Sequence, residues 1–313
     1  MRDRSLPPFW QTYEPNGDCR RSSVEAFVET VEDANWYRKK NLLALRKCEG
    51  AEDLVDDISR CSAARPCRRI LCPPCARLYR IWFAQQTLRW FRHSKQRPLT
   101  SLTLVVRLKQ ASNRDLPKIS IARVHGRFRK RMRRAGIFRV IGGTEASYNE
   151  LDGMWTVHVH LLLFGADPIA IADFASKCTK DGISRAVSKP QEVNDPVEQI
   201  TYLQKFSTFY RAGAFDSRGK GRAYPMRPAQ IAALASWTDS YEFEDFLFLA
   251  GFRRYADRIV PTEISRAARM RRVENSSRGM SGIATTWLRD EALSARAAKT
   301  CRRPAFALLS AQQ

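Results

Sequence analysis

Two apolar stretches in the middle of the chain predict a β-hairpin. FRVIGGTEASYN at 138–149 and MWTVHVHLLLF at 154–164 contain many β-branched and aromatic residues, as strands do. The intervening NELDG has the composition of a turn with a flexible glycine. An upstream apolar run, TSLTLVVRL at 100–108, predicts another strand, and VSKPQEVND at 187–195 predicts a further strand or a loop. We therefore expect an antiparallel hairpin with other strands around it.

Helical spacing of apolar residues predicts helices before, between and after these strands. Prolines that suit a first helical turn, and a glycine that suits a helix end, support several of the boundaries. The predicted helices are two within 24–48, an aromatic helix at 76–94, a basic helix at 119–136 that ends at Gly136, one from Asp167 to Cys178, and one from Pro196 to Tyr210.

The order strand, basic helix, hairpin, helix, strand, helix predicts an α+β domain built on an antiparallel sheet. We divide the chain into an N-terminal helical extension, a cysteine cluster with the helix after it, the α+β domain, and a basic, helical C-terminal region. The four parts cover residues 1–58, 59–96, 97–212 and 213–313.

Composition favours a globular protein of the cytoplasm. The chain has 313 residues and 44% hydrophobic residues, enough for a core. It has no apolar run of about 18 residues, so we expect no membrane span. Its first residues, MRDRSLPPFWQTYEP, lack the apolar centre of a signal peptide. In the cytoplasm the eight cysteines would be reduced or bound to metal.

A net charge of +22 predicts a polyanionic partner, with nucleic acid favoured over an acidic membrane. The charge is clustered, since Asp115 is the only acidic residue between Arg60 and Arg139. The basic helix suits a phosphate backbone, the alternative being a solvated helix face. Its candidate DNA-binding residues are Arg123, Arg127, Arg129, Lys130, Arg131, Arg133 and Arg134.

His158 and His160 are two positions apart on a predicted strand, so both side chains belong on one face while Val157, Val159 and Leu161 point to the other. Two adjacent imidazoles can bind one divalent cation. Alternatively, they are a hydrogen-bonded pair on the surface of the sheet.

Glu145 strengthens the metal interpretation. Counted outward from the turn, it falls opposite the histidines on the neighbouring strand, with the register uncertain by a residue or two. Two histidines and a carboxylate leave coordination positions open, as catalytic metal sites do. The mixed nitrogen and oxygen set suits Mn²⁺ or Mg²⁺, with Zn²⁺ as an alternative. Glu145 could otherwise be an ordinary exposed carboxylate.

The segment EQITYLQKF at 198–206 places Glu198, Tyr202 and Lys205 on one face of a predicted helix. A phenol between a carboxylate and an ammonium group can act as a nucleophile, with lysine stabilising negative charge and glutamate accepting a proton. In isolation, such a triplet is more often a set of weak surface ion pairs.

Cys61, Cys67, Cys72 and Cys75 lie within fifteen residues, in CSAARPCRRILCPPC. The Cys-Pro-Pro-Cys end has zinc-knuckle spacing, and four thiolates would make a closed structural zinc site. Because the first spacing is wide, Cys48 could replace Cys61. A redox pair at Cys72 and Cys75, or free thiols, are the alternatives.

Together these motifs resemble the HUH endonucleases, specifically the rolling-circle replication initiators of small plasmids. The similarity covers residues 60–206: SLTLVV, the His-apolar-His strand, and the tyrosine helix, in that order. One branch of this family has a glutamate four residues before its single tyrosine, as Glu198 stands before Tyr202, and TEASYN and the cysteine cluster also resemble that branch. The extension before residue 59 and the segment after 212 have no counterpart.

The resemblance implies a ferredoxin-like five-stranded antiparallel sheet with flanking helices. It also implies that Tyr202 cleaves single-stranded or cruciform origin DNA and forms a 5′-phosphotyrosine link, aided by a cation on His158, His160 and Glu145. Glu198 would activate water to end the round, Lys205 would orient the phosphate or Tyr202, and a host helicase would be a further partner.

Two other functions stay open. A rolling-circle transposase would use the same chemistry, but most carry a second tyrosine where this chain has Phe206. A non-catalytic, zinc-containing DNA-binding regulator would account for the charge and the cysteines. It would leave the histidine pair beside a tyrosine helix unexplained.

Overall fold

Seven α-helices and ten strands make up the part of the chain that the computed structural model describes, residues 24–94, 98–106, 111–206, 208–215, 221–255 and 258–262. The helices are α1 (Val31–Leu45), α2 (Glu52–Arg60), α3 (Pro73–Ser94), α4 (Ile121–Arg134), α5 (Pro168–Lys180), α6 (Pro196–Tyr202) and α7 (Pro228–Thr238). The strands are β1 (Leu99–Val106), β2 (Val140–Asn149), β3 (Met154–Phe164), β4 (Ser184–Val187), β5 (Gln191–Glu192), β6 (Phe209–Phe215), β7 (Gly221–Pro225), β8 (Leu247–Ala250), β9 (Phe252–Arg254) and β10 (Ile259–Pro261).

Five strands form an antiparallel sheet in the order β4-β1-β3-β2-β8. The predicted α+β class and five-stranded antiparallel sheet are therefore confirmed. Shorter strands extend the sheet, since β5 pairs with β1, β6 meets β2 at one parallel pair, and β7 pairs with β6. The remaining strands, β9 and β10, pair with each other.

The predicted hairpin is formed by β2 and β3. Its turn needs a residue with positive φ, which Gly153 supplies at 66°. The side chains of Asn149 and Asp152 accept hydrogen bonds from the backbone N–H groups of Leu151 and Met154, both at 3.1 Å. These local bonds fix the turn, and the turn fixes the pairing of the two strands.

Helices cover both faces of the sheet. On one face, Trp90 of α3 meets Phe164 of β3 edge to face, with ring centroids 4.7 Å apart. This face also receives α6, which packs against α3. On the other face, α4 lies against β2 through His125 and Thr144, with α5 beside it. The predicted site residues His158, His160 and Glu145 lie on the first face, between the sheet and α6.

Two helical predictions need correction. Residues 24–48 contain α1 and only a single 3-10 turn at Glu25–Phe27, because the side chains of Thr30 and Asp33 form a capping box that starts α1 after that turn. The helical character expected for 213–313 is wrong for its described part, which contains β7 to β10 as well as α7. The apolar β8 pairs with the first half of β2 and satisfies backbone groups that would otherwise be buried without partners.

Within the described ranges, no helix combines the length and apolar character needed to cross a membrane. Residues 1–23 and 263–313, which include the start of the predicted extension and the end of the basic C-terminal region, lie outside the described residues.

Candidate active site and cysteine cluster

The two histidines of β3 lie on one face of the sheet, and Glu145 of β2 is paired directly with His158. Val157 and Val159 point the other way and are buried. The imidazole rings of His158 and His160 are nearly parallel, with centroids 5.9 Å apart and planes at 6°. The expected position of the glutamate opposite the histidines is thus confirmed, and the three side chains are neighbours. Among the described residues, only the cysteine cluster has its potential ligand atoms close enough together to hold a metal ion as they stand.

Hydrogen bonds orient both imidazoles. Nε2 of His160 lies 3.0 Å from Oε1 of Glu145, and its Nδ1 lies 2.9 Å from the Thr103 hydroxyl. Since an ionised carboxylate can only accept, Nε2–H donates to Glu145 in this arrangement. Coordination of a cation by Nε2 would require that proton to move to Nδ1, which would then donate to the Thr103 hydroxyl. The Ser147 hydroxyl lies 2.8 Å from Nε2 of His158. Motif reasoning missed both hydroxyls, although the alternating Ser-Leu-Thr-Leu of β1 already indicated a polar face.

Burial and neighbouring charges shift the pKa values of two members of this group. Burial raises the pKa of Glu145, but the hydrogen bond from His160 and the charges of both imidazoles and of Lys205 outweigh it, so the pKa lies below its ordinary value. Burial lowers the pKa of His158, although the charge of Glu145 opposes that shift. An ionised carboxylate and a neutral imidazole are the states that coordinate metal ions.

Tyr202, the last residue of α6, lies against this group. Its ring meets the ring of His160 edge to face with centroids 5.1 Å apart, and the residue is 39% exposed. The close approach depends on Gly143, which pairs with His160 across the hairpin. A Cβ at that position would lie 1.8 Å from the carbonyl oxygen of Leu203. Only glycine therefore lets the end of α6 come this near to the sheet, where the Gln204 side chain also donates to a carbonyl of β2 at 3.1 Å.

The tyrosine helix is shorter than predicted. Since α6 ends at Tyr202, Lys205 does not share a helix face with Glu198 and Tyr202, and that part of the prediction is wrong. Lys205 is nevertheless close to the tyrosine, with its Nζ 5.6 Å from the centre of the Tyr202 ring. Glu198 is exposed one helical turn before Tyr202. The structure therefore brings Lys205 to Tyr202 by a local geometry other than a shared helix face.

Arg80 of α3 caps the C-terminal end of α6. Its Nε–H donates to the carbonyl of Thr201, the acceptor that a longer helix would offer to the N–H of residue 205. The same guanidinium pairs with Glu29 at 2.7 Å and donates to the carbonyl of Phe27 at 3.2 Å. Burial lowers the pKa of Arg80, and the charge of Glu29 opposes that shift. Nothing in the motif spacing marks this arginine, because it lies in a different helix far from the tyrosine in sequence.

The cysteine cluster consists of Cys61, Cys67, Cys72 and Cys75, whose sulfur atoms all lie within 4.8 Å of one another. Sγ of Cys75 is 3.5 Å from that of Cys61 and 3.8 Å from that of Cys67, and Sγ of Cys72 is 3.6 Å from that of Cys61. Four sulfurs bound tetrahedrally to zinc at about 2.3 Å would be about 3.8 Å apart. The cluster therefore has the size of a tetrahedral metal site.

Cys48 does not belong to this cluster, because its thiol donates to the carbonyls of Ala44 and Pro228, both at 3.3 Å. Of the two alternatives, Cys61 is therefore the fourth member. Hydrogen bonding to Cys67 lowers the pKa of Cys61, and hydrogen bonding to Cys61 raises the pKa of Cys72. Hydrogen bonding to Cys61 likewise raises the pKa of Cys75.

The basic helix α4 lies on the opposite face of the sheet from the histidine pair. Its His125 shares a 2.6 Å hydrogen bond with Thr144, and burial lowers the pKa of His125 to about 3. Two of the seven predicted DNA-binding residues have partners within the protein, since Arg129 donates to a carbonyl of β8 at 2.9 Å and Arg131 pairs with Asp181. The other five are exposed, and their contact with DNA stays a prediction.

Comparison of the chain with protein-family models, with curated proteins and with solved structures finds no match. The functional argument therefore depends on the geometry of the site.

Proposed function

We propose that this protein is an HUH-type endonuclease that nicks single-stranded DNA at a replication origin and so initiates rolling-circle replication. The observation that carries the proposal is the contact between Tyr202 and His160, beside Glu145 and His158. A phenol, two imidazoles and a carboxylate from separate segments meet at one place. Because Tyr202 is 39% exposed, core packing alone does not account for this meeting.

His158, His160 and Glu145 would hold a divalent cation, Mn²⁺ or Mg²⁺, which would supply polarisation of the scissile phosphate. The Tyr202 oxygen attacks phosphorus, and the bond from phosphorus to the 3′ oxygen breaks. The phenol loses a proton and the departing 3′ oxygen gains one, so the products are a 3′-hydroxyl and a 5′-phosphotyrosine diester. The ammonium group of Lys205 lies close enough to favour negative charge at the phenol or the phosphate.

Glu198 supports the end of the reaction cycle. It is exposed on the same short helix, one turn before the nucleophile, where water can reach its carboxylate. We propose that it removes a proton from a water molecule as the water oxygen attacks phosphorus. The bond from phosphorus to the Tyr202 oxygen then breaks, the phenol regains a proton, and the DNA keeps a 5′-phosphate.

Phe206 favours replication over transposition. It occupies the place of the second tyrosine in two-tyrosine enzymes, and it packs against Phe243 and Phe246 with centroids 5.2 and 5.5 Å away. A side chain in such an aromatic cluster serves packing. One nucleophile with a glutamate suits an enzyme that ends its cycle by hydrolysis.

We also propose that the cysteine cluster binds zinc as a structural site. Its four sulfurs have the required separation, and four thiolates would leave no position for a substrate. Cys75 lies in the first turn of α3, the helix that carries Arg80. A metal at the cluster would therefore fix the start of a helix that supports the tyrosine.

A covalent-adduct experiment tests the nuclease. Single-stranded oligonucleotides that tile the DNA flanking the coding sequence are labelled at the 3′ or the 5′ end and incubated with the full chain and Mn²⁺. A 5′-phosphotyrosine link retains the 3′ label on the protein in denaturing gels and releases the 5′ label. Binding without an adduct to any oligonucleotide would contradict the nuclease and support the DNA-binding regulator.

A further inference from the structure

A row of rings and one ammonium group leads from the candidate active site to the surface of α1. Nζ of Lys205 lies over two rings, 5.6 Å from the centre of Tyr202 and 5.2 Å from that of Phe209. Phe209 stacks on Tyr37 at 5.6 Å and 24°, and Tyr37 meets Trp36 edge to face at 5.0 Å. We call this the aromatic row: His160, Tyr202, Lys205, Phe209, Tyr37 and Trp36.

The outer end of the aromatic row is open to solvent and positively charged. Trp36 is 48% exposed, Nζ of Lys40 lies 5.3 Å from the centre of its ring, and Lys39 beside it is exposed. A tryptophan that is half in water contributes little to the core, whereas its ring offers a large flat contact surface. The two acidic residues of α1, Glu32 and Asp33, lie in its first turn, before this surface.

Flat rings with ammonium groups beside them match the chemistry of a single nucleic-acid strand. Unpaired bases stack on aromatic side chains, and lysines neutralise the phosphates between them. Duplex DNA keeps the faces of its bases within its own stack, so it can use the lysines but not the rings. The row therefore favours a single strand over a duplex.

We propose that α1 binds the single-stranded DNA next to the scissile phosphate, with Trp36 as a stacking platform for an unpaired base. The inference rests on the proposed nicking function, since it gives the substrate of Tyr202 a route along the protein. It also assigns a role to α1 of the N-terminal extension, namely to hold the strand while Tyr202 reacts.

Fluorescence anisotropy of the full chain tests this inference, without divalent cation so that no cleavage occurs. The probes are fluorescein-labelled oligothymidylate, an abasic oligonucleotide of equal length, and a duplex. We expect Trp36→Ala to weaken oligothymidylate binding roughly tenfold, as loss of one stacking contact does. Binding of the abasic strand and the duplex should change little, and Trp36→Phe should restore most of the affinity.

Ile169→Ala is the matched control, because Ile169 is 66% exposed on α5, which packs beside α4 on the other side of the sheet. It should bind all three probes like the unchanged protein. Equal oligothymidylate affinity of Trp36→Ala and the unchanged protein would overturn the inference, and so would an equal loss on all three probes. If Trp36→Ala lowers oligothymidylate affinity as expected and the unchanged protein forms no covalent adduct, the strand-binding surface stands and the nicking function fails.

Discussion

The cysteine cluster and the histidine site are two candidate metal sites of opposite construction. The cluster takes four identical ligands from one short stretch, and its sulfurs already lie within 4.8 Å of one another. The histidine site takes two kinds of ligand from β2 and β3, and its side chains are held by the hydroxyls of Thr103 and Ser147. One set of ligands is complete, whereas the other leaves coordination positions open.

This difference suggests that the closed site would affect the stability of the fold, whereas the open site would affect a reaction. A closed site of four thiolates can contribute only to stability, because a substrate finds no vacant position on its metal. An open site of two imidazoles and a carboxylate contributes less to folding, since β2 and β3 pair over their whole length without it. Its neighbour, Tyr202, is partly exposed and available to a substrate. Changes at the two sites should therefore have different consequences.

The largest expected effect comes from the tyrosine beside the open site. Tyr202→Phe removes only the hydroxyl, so the fold and DNA affinity should persist while adduct formation falls by roughly 10³-fold or more. Quantification of labelled DNA bound to denatured protein measures this loss. Tyr210→Phe is the control, because this buried tyrosine donates to Glu150 away from the histidines. An adduct of normal yield on Tyr202→Phe would show that another residue is the nucleophile.

Breaking each metal site in turn is the most direct test of the contrast. Cys72→Ser removes a fully buried ligand of the closed site and should destabilise the fold by several kcal/mol with loss of bound zinc. His160→Gln should abolish metal-dependent nicking with a much smaller shift in the thermal midpoint. Thermal unfolding and metal analysis of the purified proteins measure both effects. Unchanged stability and zinc content in Cys72→Ser would rule out a structural site.

A smaller effect concerns how the tyrosine helix approaches the sheet. Gly143→Ala places a Cβ against the Leu203 carbonyl, so α6 must move away from His160. We expect a cost of about 1–3 kcal/mol in stability and a fall of about 10- to 100-fold in nicking rate. Gly126→Ala in α4 is the control, since its Cβ meets nothing within 4 Å and should stabilise the helix by about 1 kcal/mol. Normal nicking by Gly143→Ala would mean that the position of α6 does not limit the reaction.

The smallest expected effect comes from removing the hydroxyl group that hydrogen-bonds to His160. Thr103→Val keeps the shape of the side chain but removes the hydroxyl bonded to Nδ1 of His160. The Mn²⁺ concentration that gives half-maximal nicking should rise about tenfold or more, as expected when a hydrogen bond to a metal ligand is lost. Thr103→Ser retains the hydroxyl and should behave like the unchanged protein. If both variants respond alike, the hydroxyl does not orient the imidazole.

Much of the strand pair that carries the candidate site could be predicted from sequence, because its determinants are local. The period of two along a strand places His158 and His160 on one face, and the short turn brings Glu145 opposite them. Cysteine spacing likewise identifies the cluster, since four residues in so short a segment have little freedom to separate. The choice between Cys48 and Cys61 was the exception, because it depended on where α1 packs.

The contacts that position Tyr202 and the end of α6 could not be predicted from motif spacing. The end of α6 is capped by Arg80, which donates to the Thr201 carbonyl from another helix. The approach of α6 to the sheet depends on the missing side chain of Gly143. Neither requirement appears in the spacing of the motifs, because each arises only after distant segments pack together.

By itself, the sequence determined the hairpin, the shared face of His158 and His160, and the spacing of the cysteines, since period, turn length and close spacing act within short stretches of chain. The residue-by-residue pairing and the choice of Cys61 over Cys48 came from the structure. Only the tertiary structure decided that Tyr202 ends its helix against His160, that β8 completes the sheet, and that the basic helix lies on the face away from the histidines. These features depend on packing between remote segments. A residue's own neighbours in sequence carry little information about such contacts.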